Sequence, residues 1–335
     1  MTYQVPLIQA GFLGPILNTL EDAGVSMKPI LREASLDRFR LSDKEIYIPA
    51  QLVYRMLGCV RRREGIDHFV EVFSDQIEIK GMCDWGDIVA CAPDLLSAIN
   101  FATEFDNVIL THERMGLDID GPVCRFWYYY LDQAEYLERP QPGRNFTDYS
   151  DFCLTWNFFK NACGPDWKPL ELHLQSREAP DLDNLLPGSS ETRIYLGQPA
   201  TAFVFPTALL TKPLNVRDSG SQAGTFPEPP ETLSAAIETL LSSSRKGQVA
   251  NFKVMANMLD LSQRTLSRRL VDENTTFSDI LDSWRFKSSL DLLGQDNVRI
   301  RDISEQLGYA NAPNFERAFR RWTGTTPGSY RDLLS

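Results

Sequence analysis

Between residues 250 and 331, apolar positions recur at helical spacing in short runs separated by turn chemistry. In MANMLDLSQRTLSRRL (255–270), Ser262 has N-cap chemistry, Leu266 and Leu270 stand one turn apart, and Arg264, Ser267 and Arg268 fall on the opposite face. In ISEQLGYANAPNFERAFRRW (303–322), Phe315, Ala318, Phe319 and Trp322 form an inward stripe, leaving Asn314, Arg317, Arg320 and Arg321 outside. Gly308 supplies the left-handed stop of the helix before it, Asn311 the next N-cap, and Pro313 a first-turn residue whose missing N–H costs nothing. The first copy carries Asp260 at its turn instead of glycine, a residue that tolerates that conformation less well. Between the copies, Phe277, Ile280, Leu281 and Trp284 keep the period as far as Leu292 and Leu293, which predicts one helix roughly 25 Å long at 1.5 Å per residue. Asn274 ends the helix before it, as a substitute for glycine.

The rest of the chain alternates differently. Helical spacing covers 7–22 (Leu13, Ile16, Leu17, Leu20) and 49–63 (Leu52, Val53, Met56, Leu57, Val60), the second ending in Arg61, Arg62 and Arg63. A triple arginine at a helix C-terminus suits the dipole and reads as a solvated end in preference to a DNA or ligand contact. Two helices follow at about 84–91 and 94–105, broken by Pro93, then strands at 107–117 and 122–131, a helix at 147–162, and strands near 169–175 and 201–205. Residues 215–231, NVRDSGSQAGTFPEPPE, have no apolar period and read as a linker whose polar composition argues against burial. The expected organisation is an α+β domain at 1–214, a linker at 215–231, and an all-α domain at 232–335 with two helix-turn-helix motifs joined by a long helix.

Charge divides along the same line. The net charge is −11, yet residues 231–335 carry 14 Lys+Arg against 13 Asp+Glu, and residues 1–230 carry 20 against 32. The acidity belongs to the N-terminal part; the C-terminal domain, only marginally basic, must depend on well-placed contacts to bind a polyanion. Six cysteines (Cys59, Cys83, Cys91, Cys124, Cys153, Cys163) and three histidines (His68, His112, His173) show no C-x-x-C and no zinc spacing, so reduced cysteines acting as small core hydrophobes are preferred to a metal or redox sensor. No metal and no cofactor is expected. No apolar run reaches membrane length and MTYQVPLIQAG has no basic n-region, so a cytoplasmic protein without membrane contact is expected.

Two helix-turn-helix units on one chain can enter two major grooves of one duplex, so the pattern points to a sequence-specific regulator bound to operator or promoter DNA. The same residues resemble the DNA-binding domain of the AraC/XylS family of bacterial transcription regulators over about 250–331, including FERAFRRWTGTTPGSYR (315–331) with Gly324, Pro327 and Tyr330 in register. Carried over by position, the resemblance implies base reading by Arg264, Ser267 and Arg268 in the first unit and by Ala312, Pro313, Asn314 and Arg317 in the second. Ala312 and Pro313 offer no side-chain hydrogen bond, which leaves Asn314 and Arg317 there. Arg320 and Arg321 complete the outward basic face. The N-terminal part resembles, in a looser pattern, the arabinose-binding-type effector domain of one branch of that family, through IYIPAQLVYRML (46–57), PDLLSAINFATEF (93–105), DWKPLELHL (166–174) and AFVFPTALLTKPL (202–214). That implies a small-molecule effector without naming arabinose.

The competing functions separate on motifs. An alkyl-transfer repair enzyme would need a zinc cysteine cluster and a reactive cysteine beside proline and histidine. Neither is present, nor is G-x-S-x-G, H-E-x-x-H, a P-loop or G-x-G-x-x-G, so no catalytic residues are expected. An N-terminal domain serving only dimerisation or protein contacts, without a ligand, stays open as the alternative. A homodimer and RNA polymerase are the further partners considered, the latter if the chain is an activator. For a ligand pocket the candidates are Trp85 and one face of the aromatic strand, Phe126, Tyr128 and Tyr130; aromatic residues in a strand are more often core than cage.

Overall fold

A computed structural model describes residues 5–64, 78–131, 144–175, 191–214, 226, 228–295 and 298–333, with the side chains of 144–150 left aside. Most of the expected linker, and His68, lie outside the described residues.

Leu7–Gln9 forms strand β1, followed by a 3-10 turn at Ala10–Phe12 and helix α1 at Leu13–Asp22. The helix expected from residue 7 therefore starts six residues later. The reason is tertiary: Leu7, Ile8 and Gln9 are all buried, and β1 pairs antiparallel with Tyr47–Pro49 (β2), some forty residues on. Helix α2, Met27–Glu33, was not anticipated; α3 is Ala50–Glu64. The arginine end of α3 faces α2, with Arg62 and Arg63 at 3.0 and 2.6 Å from the two oxygens of Glu33. Hydrogen bonds from the Cys59 thiol, Arg63 and Arg62 hold the Glu33 carboxyl below its usual pKa.

Helices α4 (Asp84–Ala90) and α5 (Leu95–Glu104) flank Pro93, and Asp94 caps α5 by accepting from the Ser97 N–H at 2.7 Å. A short helix, α6 (Asp106–Ile109), takes the first part of the expected strand, so β3 runs only over Glu113–Asp120 and pairs antiparallel with β4, Val123–Tyr130. Helix α7 (Arg144–Cys163), β5 (Glu171–His173), β6 (Arg193–Tyr195) and β7 (Thr201–Pro206) complete the N-terminal part. Among the described residues the sheet order is β3-β4-β7-β5-β6, antiparallel except for β5 with β6. Alternation along β4 buries Cys124, Phe126, Tyr128 and Tyr130. On α7, Phe152, Trp156 and Phe159 repeat at helical spacing and pack on Phe203, Phe205 and Trp167, with ring centroids 4.8 Å apart for Phe159 and Trp167.

The C-terminal part is helical throughout: α8 (Leu233–Ser243), α9 (Phe252–Met258), α10 (Gln263–Asp272), α11 (Phe277–Leu293), α12 (Ile300–Gln306), α13 (Ala312–Thr323) and α14 (Pro327–Asp332). Side-chain caps set most of these starts. Asn251, Ser262, Asn311 and Thr326 each accept a backbone N–H three residues on, and Thr276 with Asp279 makes a reciprocal capping box. The Glu273 carboxylate accepts from the N–H groups of Leu233 and Ser234, both at 2.9 Å, tying the start of α8 to the end of α10.

The two parts touch. Phe39, fully buried, bridges Ser244 in β fashion; the Arg40 guanidinium donates to the Ser242 carbonyl at 2.7 Å and Arg245 Nε to the Phe39 carbonyl at 2.7 Å. The linker is not wholly free of the core either. The ring of Phe226 lies 5.8 Å from that of Phe101 and 5.3 Å from that of Phe105, because a lone aromatic in a polar stretch gains by joining an existing cluster.

Candidate nucleic-acid interface and cavity

The first helix-turn-helix unit is α9 and α10. Leu266 and Leu270 are buried, and their burial turns the opposite face of α10 to solvent, where Arg264, Ser267 and Arg268 are exposed. The turn needs a left-handed residue, and Asp260 takes it with φ 54°. Asn274 does the same at φ 57° where α10 gives way to α11.

The second unit is α12 and α13. Gly308 closes α12 at φ 73°, and Arg285 of α11 donates to the Leu307 carbonyl at 3.0 Å and lies 4.1 Å over the Tyr309 ring. Phe315 and Phe319 are fully buried and Ala318 is buried with them, whereas Trp322 is half-buried and meets Phe286 of the linking helix α11. Pro313, Arg317 and Arg320 are exposed; Ala312 and Asn314 are half-buried. Arg317 donates to the Asn314 side-chain oxygen, so this pair is organised as a unit. Arg321 differs from its neighbours. It pairs with Asp282 of α11 at 2.6 Å, which commits its charge to holding α13 on the linking helix.

Residues 24–214 match the family model for the arabinose-binding domain of AraC transcription regulators, N-terminal, and residues 255–332 match a helix-turn-helix domain. The chain belongs to the AraC family of transcription regulators. Among curated proteins it is 28% identical over 140 residues to the regulator VqsM of Pseudomonas aeruginosa, covering 39% of this chain and 43% of that protein. It is 34% identical over 102 residues to the ornithine utilization regulator of the same organism, covering 30% of each. The matched stretches thus span less than half the length of these relatives. Among solved structures, the regulator CdpR of Pseudomonas aeruginosa covers 99% of both chains at 18% identity and a TM-score of 0.45. The DNA-binding domain of AdpA, solved with a target DNA, covers 25% of this chain and 76% of that one at 21% identity and a TM-score of 0.24. The chain thus pairs an N-terminal domain of the arabinose-binding type with the helix-turn-helix domain of an AraC-type transcriptional regulator.

The N-terminal domain of this regulator holds a partly open cavity between α4, α5, α6, the sheet and α7. Trp85, Phe126 and Tyr128 line it; Tyr130 stands behind the wall and donates to Asp151, which does line it. Asp106 and Glu113 reach the same space. Burial raises the Asp106 carboxyl above its usual range and the Asp151 carboxyl well above it. None of these three acids was singled out from sequence, although a signal existed: Asp151 precedes Leu154, Thr155 and Phe158 at i, i+3, i+4 and i+7, an acid on an otherwise largely apolar helix stripe. The thiols of Cys83 and Cys124 are buried and pushed up to about 11, which suits packing more than reactivity. Among the described residues no group of three His, Cys, Asp or Glu side chains could hold a metal ion, and no helix is long and apolar enough to cross a membrane.

Proposed function

We propose that this regulator reads DNA through Arg264, Ser267 and Arg268 in one groove and through Asn314 and Arg317 in the next, with Arg320 on phosphate. We further propose that residues 1–214 sense a small molecule in their cavity, and that residues 232–335 act as the cytoplasmic DNA-binding domain. The observation that carries the sensory half is the position of α3. It packs against α7, a wall of the cavity, and from the same helix Arg55 donates to the Asn257 carbonyl of the first helix-turn-helix unit at 2.8 Å. Filling the cavity shifts α7 against α3, and α3 holds the first unit. The effector then alters how much of the operator is engaged more than the intrinsic base preference of either unit.

Nuclease footprints of the full chain on its operator, with and without effector, test this. One protected groove in one state and two in the other is the expected result; an unchanged two-groove footprint sinks it. A second reading, in which the N-terminal domain serves self-association alone, draws on Trp127 and Tyr129, half-exposed on the face of β4 away from the cavity. Sedimentation with Trp127→Ala decides whether that face mediates a dimer.

A further inference from the structure

The cavity's polar atoms are few, and two of them are buried without a partner among the described residues. Asp151 is 6% exposed; one carboxyl oxygen accepts from Tyr130 and the other, Oδ1, has no partner. Trp85 is 8% exposed and its Nε1–H has none either. A buried polar atom left unmatched is unfavourable, so each is a place where a ligand group would be gained. The remaining lining is mostly carbon: Ile99, Met115, Leu154 and Phe158 are typical. A sugar, with a hydroxyl on nearly every carbon, would leave many groups unmatched there.

Charge narrows the chemistry further. Asp106 on α6, Glu113 on β3 and Asp151 on α7 all line the space, and among the described residues no Lys, Arg or His does. A ligand carboxylate would enter a mostly apolar cavity beside three acids, with no cation among the described lining residues to meet it. An ammonium meets the opposite situation.

We propose that the effector is an apolar amine: a hydrocarbon or aromatic body filling the cavity, with a single ammonium group on Asp151 Oδ1 and no carboxylate. The inference rests on the ligand-sensing reading above and deepens it. Recognition is an ion pair made on binding. The Asp151 carboxyl gives its proton to solvent as the ammonium arrives, and the pair is held by the Tyr130 hydroxyl from behind, while Trp85 Nε1–H is left to an acceptor or π face of the body. The titratable groups around Asp151 are Asp106, Glu113, and Tyr128 and Tyr130 of β4, with the His112 ring stacked on Tyr130 at 5.6 Å.

The test is calorimetric titration of the full chain with 4-phenylbutylamine, 4-phenylbutanol and 4-phenylbutanoate, repeated in two buffers of different ionisation enthalpy. The expected result is an amine at least tenfold tighter than the alcohol, a carboxylate weaker than both, and close to one proton released per amine bound. Asp151→Asn is expected to bring amine and alcohol within about twofold of each other; Asp106→Asn, should the first variant fold poorly, leaves most of the amine preference in place. Tightest binding by the alcohol or the carboxylate overturns the amine class and leaves ligand sensing standing. Binding by none of the three overturns the amine class too, and if a broad metabolite panel also fails to raise the melting midpoint, the sensory reading falls with it.

Discussion

The Arg55 guanidinium of the N-terminal domain stands 3.6 Å from the carboxylate of Asp260, the left-handed residue of the first helix-turn-helix turn. Both side chains are substantially exposed, at 38% and 50%, so the ion pair itself is worth at most about 1 kcal/mol. Such a contact positions without locking. Arg55→Ala is expected to lower the melting midpoint by no more than a few degrees and to reduce the difference between effector-bound and effector-free footprints. A full effector response in the variant would remove Arg55 from the coupling.

Arg264 and Arg268 are exposed and make no side-chain hydrogen bond or ion pair among the described residues, which leaves them available to DNA. Alanine at either is expected to cost about 1–3 kcal/mol on cognate DNA and much less on scrambled DNA, the signature of a base contact. Arg320→Ala should weaken both alike and change the salt slope by about one unit, as loss of a phosphate contact does. Arg321→Ala is expected to act through stability instead, since it loosens α13 from Asp282. Competition gel shifts at two salt concentrations, with thermal melts alongside, separate the three behaviours.

Gly247 and Gly308 bring the loop before α9 against the turn of the second unit. Gly247 has φ 57°, and a Cβ there would fall 2.6 Å from the Gly308 backbone nitrogen. Gly247→Ala therefore meets both a strained conformation and a backbone clash, together about 2–4 kcal/mol. The expected outcome is a lower melting midpoint and loss of the second-groove footprint before the first. A variant with wild-type stability would show that the two loops can part freely.

Burial keeps the Asp151 carboxyl protonated well above the normal range, so the folded chain holds a proton that the unfolded chain releases once pH passes about 4. Stability from this group is greatest at acid pH and declines as pH rises toward its folded pKa. Asp151→Asn removes the decline. Its melting midpoint is expected to exceed that of the parent at pH 7 and to converge with it near pH 4; a constant difference across that range would contradict the assignment.

The helical half of this chain is nearly all local physics. Ser262, Thr276 and Asn311 cap helices with their own side chains, Asp260, Asn274 and Gly308 take left-handed turns, and a three-to-four residue period separates Leu266 and Phe319 from Arg268 and Arg320. Each of those signals spans fewer than ten residues, so a sequence carries them openly. The commitment of Arg321 to Asp282 was not legible, because two outward positions on different helices meet only after α11 and α13 have packed. Nor was β1: Leu7–Gln9 is too short for its period to distinguish strand from helix, and its partner is β2. The cavity belongs wholly to tertiary structure. Trp85, Glu113, Phe126 and Asp151 come from four separate elements, and whether an aspartate is a solvated surface acid or a buried, half-partnered one depends on which helix and sheet close over it.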